Sequence, residues 1–312
     1  MRVHPFKAVE LVVVGSLSYD YLSNPIYGTR EAAGGAGAYV SLAAASLGIP
    51  VGIVGILSES VPTEVVTKIK NTLDCSGLKK ISGVDIVFGI DYDENWHSEY
   101  YIDSSKIENE LSFKDFPYLY KFAKAVHLCP MSQIERQVEI ALDVQRNMDV
   151  IISATAFKPR IETQRREVLS LLQIVDLFFL NLEEALLLTS RDKSELAYED
   201  LEQLGQGKVI CVTNGENGVT ILANNTRYTL PAYITRLKDP TGAGEAFAGS
   251  FIAKYLKSRE PFNSALTALC VSSLVIEEWG FESLLEKNSE DIEFRLLEYH
   301  KRLNQRYGQL NV

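Results

Sequence analysis

Histidine is scarce in this chain of 312 residues. Only four occur, at scattered positions, so neither a Ser-His-Asp triad nor a His-rich metal site can be read from them. The four cysteines, Cys75, Cys129, Cys211 and Cys270, are far apart and form no CxxC pair, which argues against a zinc site and a secreted disulfide scaffold. No block of Lys or Arg stands out and the net charge is −10, so a nucleic-acid or anionic-membrane surface is not expected. The apolar run Leu11–Val14 has strand length and falls short of a signal-peptide core or a membrane span. Repeats, low-complexity stretches and a GxxxxGK[ST] Walker loop are also missing. The chain is read as cytoplasmic.

What is present is ordinary globular composition, 46% hydrophobic and 23% charged, enough apolar material for one large α/β domain. Buried-strand patterns fall at 9–15, 51–57, 125–128, 149–153, 176–180 and 209–213. Helical spacing falls at 34–47, 64–73, 133–146, 161–172, 243–257, 262–278 and 289–306. The alternation predicts a mostly parallel sheet with helices on both faces. Extra strands within 21–33 and 84–103 do not fit it and predict a small β lobe, with a hairpin turn at 91–95. A further hairpin is expected at Asn224-Asn225. No linker divides residues 1–312, so a single domain is expected.

Five segments at the expected strand ends carry chemistry. In the first, 239–251, a turn runs into Gly242, Ala243 and Gly244, then Glu245, then an apolar helix. Close glycines and a helix N-terminus make an anion site, and a neighbouring carboxylate can take a proton from an attacking hydroxyl. Asp20 follows the first strand and is either a polyol-binding carboxylate or a turn residue. Gly34 and Gly35 open a helix, for close ligand approach or for tight packing. Asn181 and Glu184 begin another helix. Asn181 suits an N-cap, and the pair could order metal-bound water near phosphates. Glu183 points about a quarter-turn away. Thr213, Gly215 and Gly218 form a loop that touches a nucleotide or simply closes a hairpin.

In this order, across roughly residues 9–285, the segments resemble the ribokinase-like, PfkB-type carbohydrate kinases. The resemblance implies a three-layer sandwich: a mostly parallel central sheet between helices, with a small β lid. It places Asp20 and Gly35 on substrate hydroxyls, with Gly34 and Tyr39 beside them. It places Asn181 and Glu184 near Mg²⁺ and the triphosphate of ATP, and Thr213, Gly215 and Gly218 along the nucleotide. Gly242, Ala243 and Gly244 become the anion hole, Glu245 the catalytic base, and Asp239 and Thr241, with backbone near Gly280, a K⁺ site. The implied partner is a small sugar or nucleoside, and lids of this family often pair into homodimers.

Five features depart from the family pattern. Glu245 stands where the family has Asp, extending the carboxylate by about 1.5 Å. Tyr39 replaces a common Asn, narrowing a ribose pocket or offering a ring to stack on. Leu57–Val61 lacks the usual Gly-x-Asp, no carboxylate lies near Met131, and the interval from Asp20 to Gly34 is short. The first expectation is an ATP-dependent kinase of a hydroxymethyl group. The alternative is a kinase-fold protein that binds ligand without turnover. Trp96 and His97 are expected to pack in an exposed turn, and His127 to be structural.

Overall fold

The computed structural model describes residues 8–286 and 289–307. Among the described residues, thirteen strands and ten α-helices follow one another. They are β1 (Leu11–Val14), β2 (Ser18–Asn24), β3 (Gly28–Gly34), α1 (Ala36–Ser46), β4 (Val51–Leu57), α2 (Thr63–Thr72), β5 (Asp74–Lys80), β6 (Phe88–Tyr92) and β7 (Ser98–Asp103). After three short 3₁₀ turns come β8 (Ala125–Leu128), α3 (Ile134–Asn147), β9 (Ile151–Thr155), α4 (Lys158–Ile174), β10 (Leu177–Asn181), α5 (Leu182–Thr189) and α6 (Ser194–Leu204). The chain continues with β11 (Val209–Thr213), β12 (Val219–Ala223), β13 (Thr226–Leu230), α7 (Ala243–Ser258), α8 (Pro261–Val275), α9 (Glu282–Glu286) and α10 (Ser289–Tyr307).

Nine strands form the main sheet in the order β13-β12-β11-β10-β9-β8-β1-β4-β5. The run from β11 to β5 is parallel, and the β12–β13 hairpin closes one edge antiparallel. Successive side chains on a strand face opposite sides, and the core divides accordingly. Leu11, Val13, Leu177 and Phe179 pack under α1, α7 and α8, while Val12, Val14, Phe178 and Leu180 pack under α3 to α6. Both faces are buried, so these strands read as continuous apolar runs rather than alternating ones. The expected sandwich is therefore present.

The second sheet has the order β3-β2-β6-β7. It is a full four-stranded lid despite the short interval between Asp20 and Gly34. Leu22, Ala32 and Ile90 on it pack against Trp279. Two expectations need correction. The lid turn lies at 93–97, where Asp93 accepts the N–H groups of Asn95 and His97, at 2.8 and 2.9 Å. Asp91 is a strand residue because Tyr92, still in register with Ser98, carries the strand inward to Thr241. In addition, β5 pairs with β4 at the sheet edge, where the sequence gives no strand pattern: Asp74–Lys80 is mostly polar and partly exposed. Trp96 sits at φ 63° in the lid turn, with its ring 6.2 Å from that of Tyr92. His127 is fully buried between Ser153 and Thr155, whose hydroxyls lie 3.0 and 3.1 Å from its ring nitrogens.

Candidate active site

The parallel strands end on one side of the sheet, where ligands bind in folds of this type. The sequence-predicted residues gather there around the N-terminus of α7. The turn before α7 is fixed by Asp239, which is buried and accepts N–H bonds from Thr241 (2.9 Å) and Gly280 (3.2 Å). Gly242 caps the helix at φ 76°, a left-handed conformation that glycine adopts without strain. A Cβ there would come within 2.3 Å of the Tyr39 ring, so close packing also requires glycine. Ala243 donates its N–H to the Pro240 carbonyl at 3.2 Å, and the first turn of α7 presents the positive end of its dipole beside Gly244.

Three clefts meet at this turn. The first is lined by Asp20, Gly35 and Tyr39 together with Gly242 and Glu245. The second also reaches Glu245 and the Gly242–Gly244 turn, and adds Asn181, Glu184 and Thr213. The third shares Thr213, Ala243 and Gly244 and extends to Gly215 and Gly218 beneath α8. Glu245 is therefore the carboxylate common to the first two clefts, and burial raises its pKa.

Asp20 lies in β2 and not in a turn. Its Oδ1 accepts the Phe88 N–H at 3.1 Å, which ties β2 to β6. Burial pushes its carboxyl up to about 7. Gly34 faces it so closely that a Cβ would fall 2.0 Å from Oδ2. Tyr39 is 2% exposed, meets Phe281 edge-to-face at 5.7 Å, and its buried hydroxyl has no hydrogen-bond partner.

Asn181 and Glu184 form a reciprocal capping box on α5: each side chain accepts the other's backbone N–H at 2.8 Å. Glu184 also accepts the Lys158 N–H at 3.0 Å, and burial raises its carboxyl to about 8. The N-cap reading of Asn181 holds, and the same geometry points Glu184 into the second cleft. Glu183 pairs with Lys158, and both also border the second cleft. The 213–218 loop does close the β11–β12 hairpin while lining the third cleft, so both readings of it apply.

Sequence reasoning missed several contributors to the first cleft, among them Glu108, Phe88, Tyr100, Phe157 and Arg160. Glu108 comes from the 3₁₀ turn Ser105–Glu110, beside Ser16, and burial holds it near 7. It supplies, in the cleft that Met131 also lines, a carboxylate that the residues around Met131 lack. Arg160, in the first turn of α4, donates to the Met131 carbonyl (3.1 Å) and to Asp103 (2.8 Å). Among the described residues, no group of three or more His, Cys, Asp and Glu side chains could hold a metal by itself.

The sequence profile described as pfkB family carbohydrate kinase matches residues 10–288. The chain belongs to this family. As a pfkB-family chain it is 27% identical, over 274 residues, to a cytidine kinase of Thermococcus kodakarensis; the match covers 87% of this chain and 98% of that protein. Its fold superposes on an Escherichia coli protein solved as a putative ribokinase II in its apo form, with TM-score 0.78 and 18% identity over 93% of this chain and 99% of that one. A putative ribokinase II from the same organism in complex with ATP and Mg²⁺ gives TM-score 0.76 at 17% identity, over 93% and 99% of the two chains. The ribokinase fold is shared. No helix among the described residues is long and apolar enough to cross a membrane.

Proposed function

We propose that this sugar or nucleoside kinase of the pfkB family transfers the γ-phosphoryl group of ATP to a hydroxymethyl group, with Glu245 as the base. One observation carries the reading. Gly242 and Glu245 border both the cleft containing Asp20 and the cleft containing Asn181 and Glu184, and Ala243 and Gly244 border the second. An acceptor hydroxyl and a phosphate chain can therefore meet at one helix N-terminus. Asp20 and the Gly35 backbone hold the acceptor by its other hydroxyls. Glu245 takes the hydroxyl proton as the acceptor oxygen bonds to the γ-phosphorus and the bond to the β–γ bridging oxygen breaks, releasing ADP. The Gly244 amide and the positive end of the α7 dipole face the charge that spreads over the phosphoryl oxygens, a preorganised form of stabilisation. The longer Glu side chain supplies the same functional group as Asp, and burial raises its basicity.

The residues fit Mg²⁺ held largely by phosphates and water. Glu184 is one carboxylate at the cleft, and Mg²⁺ commonly uses only one or two from the protein. Mg²⁺ would neutralise phosphate charge when bound, and Glu184 and Asn181 would hold its water ligands. K⁺ beside Asp239 would share a carboxylate that already accepts two amides. Comparing turnover in K⁺ with turnover in tetramethylammonium tests that point. We also take residues 1–312 to act as one domain with its lid, and limited proteolysis that releases a stable lid-free fragment would refute this.

The decisive experiment follows ADP formation over a panel of sugars and nucleosides, with wild type and Glu245→Gln side by side. Turnover that is lost in the variant supports the assignment. Equal turnover in both removes Glu245 as base. Ligand binding without any phosphorylated product would favour a binding protein on a kinase fold.

A further inference from the structure

The acceptor cleft has a wall of rings. Phe88 and Tyr100 meet edge-to-face at 6.3 Å, and Tyr100 meets Phe157 edge-to-face at 5.2 Å. The Arg160 guanidinium lies 5.7 Å from the centre of the Phe157 ring. A simple polyol leaves such a wall without a partner, whereas a flat heterocycle makes use of it.

Charge narrows the choice further. The lining carries three carboxyl groups, Asp20, Glu108 and Glu245, against one cation, Arg160. That cation is already committed to Asp103 and to the Met131 carbonyl. An acid acceptor would enter a negative field with no spare counter-charge. A neutral acceptor rich in hydrogen-bond donors fits better. Asp20 and Glu245 are occupied by the hydroxyl chemistry, which leaves Glu108. It is 6% exposed, and the Ser16 hydroxyl and N–H beside it meet only part of a carboxylate's acceptor capacity. A buried acceptor with spare capacity favours a ligand that brings a donor.

We propose that the acceptor is an uncharged nucleoside bearing an exocyclic amine, its base lying on the Phe88–Tyr100–Phe157 wall and its amine donating to Glu108. The inference rests on the kinase reading for the position of the reacting hydroxyl, but not for the recognition of the base. Glu108 then acts as a specificity residue once ionised, and the selectivity is read at pH 8: a carboxylate accepts from an amine and has nothing to give to a ring carbonyl.

The test uses the purified full chain with two measurements, ADP release under ATP and Mg²⁺ and acceptor binding by calorimetry. The panel pairs cytidine with uridine and adenosine with inosine, and adds ribose, myo-inositol and 2-dehydro-3-deoxygluconate. The expected result is that an amine-bearing nucleoside leads, at least 10-fold above its carbonyl counterpart. Glu108→Gln should cut that ratio at least 10-fold, because its amide donates to the carbonyl base, with a thermal midpoint near that of wild type. A wild type that prefers the sugar, the inositol or the acid overturns the proposal without any variant, as does a ratio unmoved by a folded Glu108→Gln. Amine-selective binding that depends on Glu108 but gives no product refutes the kinase reading and leaves this one standing. Phosphorylation of a sugar with no nucleoside binding does the reverse.

Discussion

The two halves of the site are built from different materials. In the proposed reading the phosphate side is mostly backbone, the start of α7 at Gly242–Gly244 and the 213–218 loop, with the Asn181–Glu184 capping box beside it. On the acceptor side they are side chains delivered singly by β2, α1, β6, β7, a 3₁₀ turn and α4. A backbone site depends on a few contiguous residues and serves any phosphate chain. A side-chain site depends on which distant elements fold together, and it sets specificity. Glu245 belongs to both halves, so substitutions around it should separate transfer from binding.

The largest expected effect follows from that position. Glu245→Gln keeps the shape and removes the base, so kcat should fall by about 10²–10⁴-fold, the usual range for a lost general base. ATP affinity should stay within roughly threefold, because the α7 amides are untouched. Glu245→Asp keeps the carboxylate but withdraws it, and should cost on the order of 100-fold in kcat. Steady-state kinetics with nucleotide titration checks both. Equal losses of turnover and ATP binding would break the distinction between the halves.

Next comes the joint between them. Gly242→Ala places a methyl at φ 76° and against the Tyr39 ring, so kcat/KM should fall on the order of 100-fold and the thermal midpoint should drop. Tyr39→Phe removes a buried hydroxyl that has no partner, so stability should hold or rise by about 1 kcal/mol. Chemical denaturation measures both. A Tyr39→Phe that loses more than that would mean the hydroxyl is already hydrogen-bonded in the free protein.

A smaller effect should appear on the phosphate side alone. Glu184→Gln preserves an acceptor for the capping box and removes the charge near the phosphates. The Mg²⁺ concentration for half-maximal rate should rise about 10-fold, with acceptor KM nearly unchanged. A change confined to acceptor KM would place Glu184 in the wrong half.

The same division governs what could be read from the sequence. The alternation of apolar runs was enough for the parallel sheet and its helices, because strands buried on both faces carry unbroken Val, Ile and Leu. The Gly242–Glu245 turn and the Asn181–Glu184 cap were legible because their chemistry needs particular residues at fixed local spacing. Glu108 and Arg160 lie 52 residues apart in sequence, within unremarkable segments, and only the fold brings them to one cleft. Polarity hid β5, whose exposed edge position asks for few apolar residues. The lid was foreseen in position, but its turn was set two residues early. Asp91 looked like a turn residue, yet the strand continues to deliver Tyr92 to Thr241.

The smallest expected effect is a pH dependence of stability, and its sign separates this site from ordinary surface carboxylates. Burial raises Asp20 and Glu108 to about 7 and Glu184 to about 8, against the usual 3.8 and 4.5 for free Asp and Glu. Between those limits the folded chain holds more protons than the unfolded chain, so stability falls as pH rises. Carboxyls with lowered values, such as Asp103 held by Ser105 and Arg160, act only at more acid pH. The thermal midpoint of the ligand-free protein should therefore drop by roughly 5 °C between pH 5.5 and pH 8. Asp20→Asn should flatten that slope, since a neutral amide has no charge to desolvate. Acceptor binding should flatten it as well, because acceptor hydroxyls donate to the ionised Asp20. Scanning calorimetry across pH checks all three statements. A midpoint that rises steadily from pH 5.5 to 8 would mean these carboxyls are ionised and already satisfied without ligand, leaving the acceptor half nothing to gain from the hydroxyls it is built to receive.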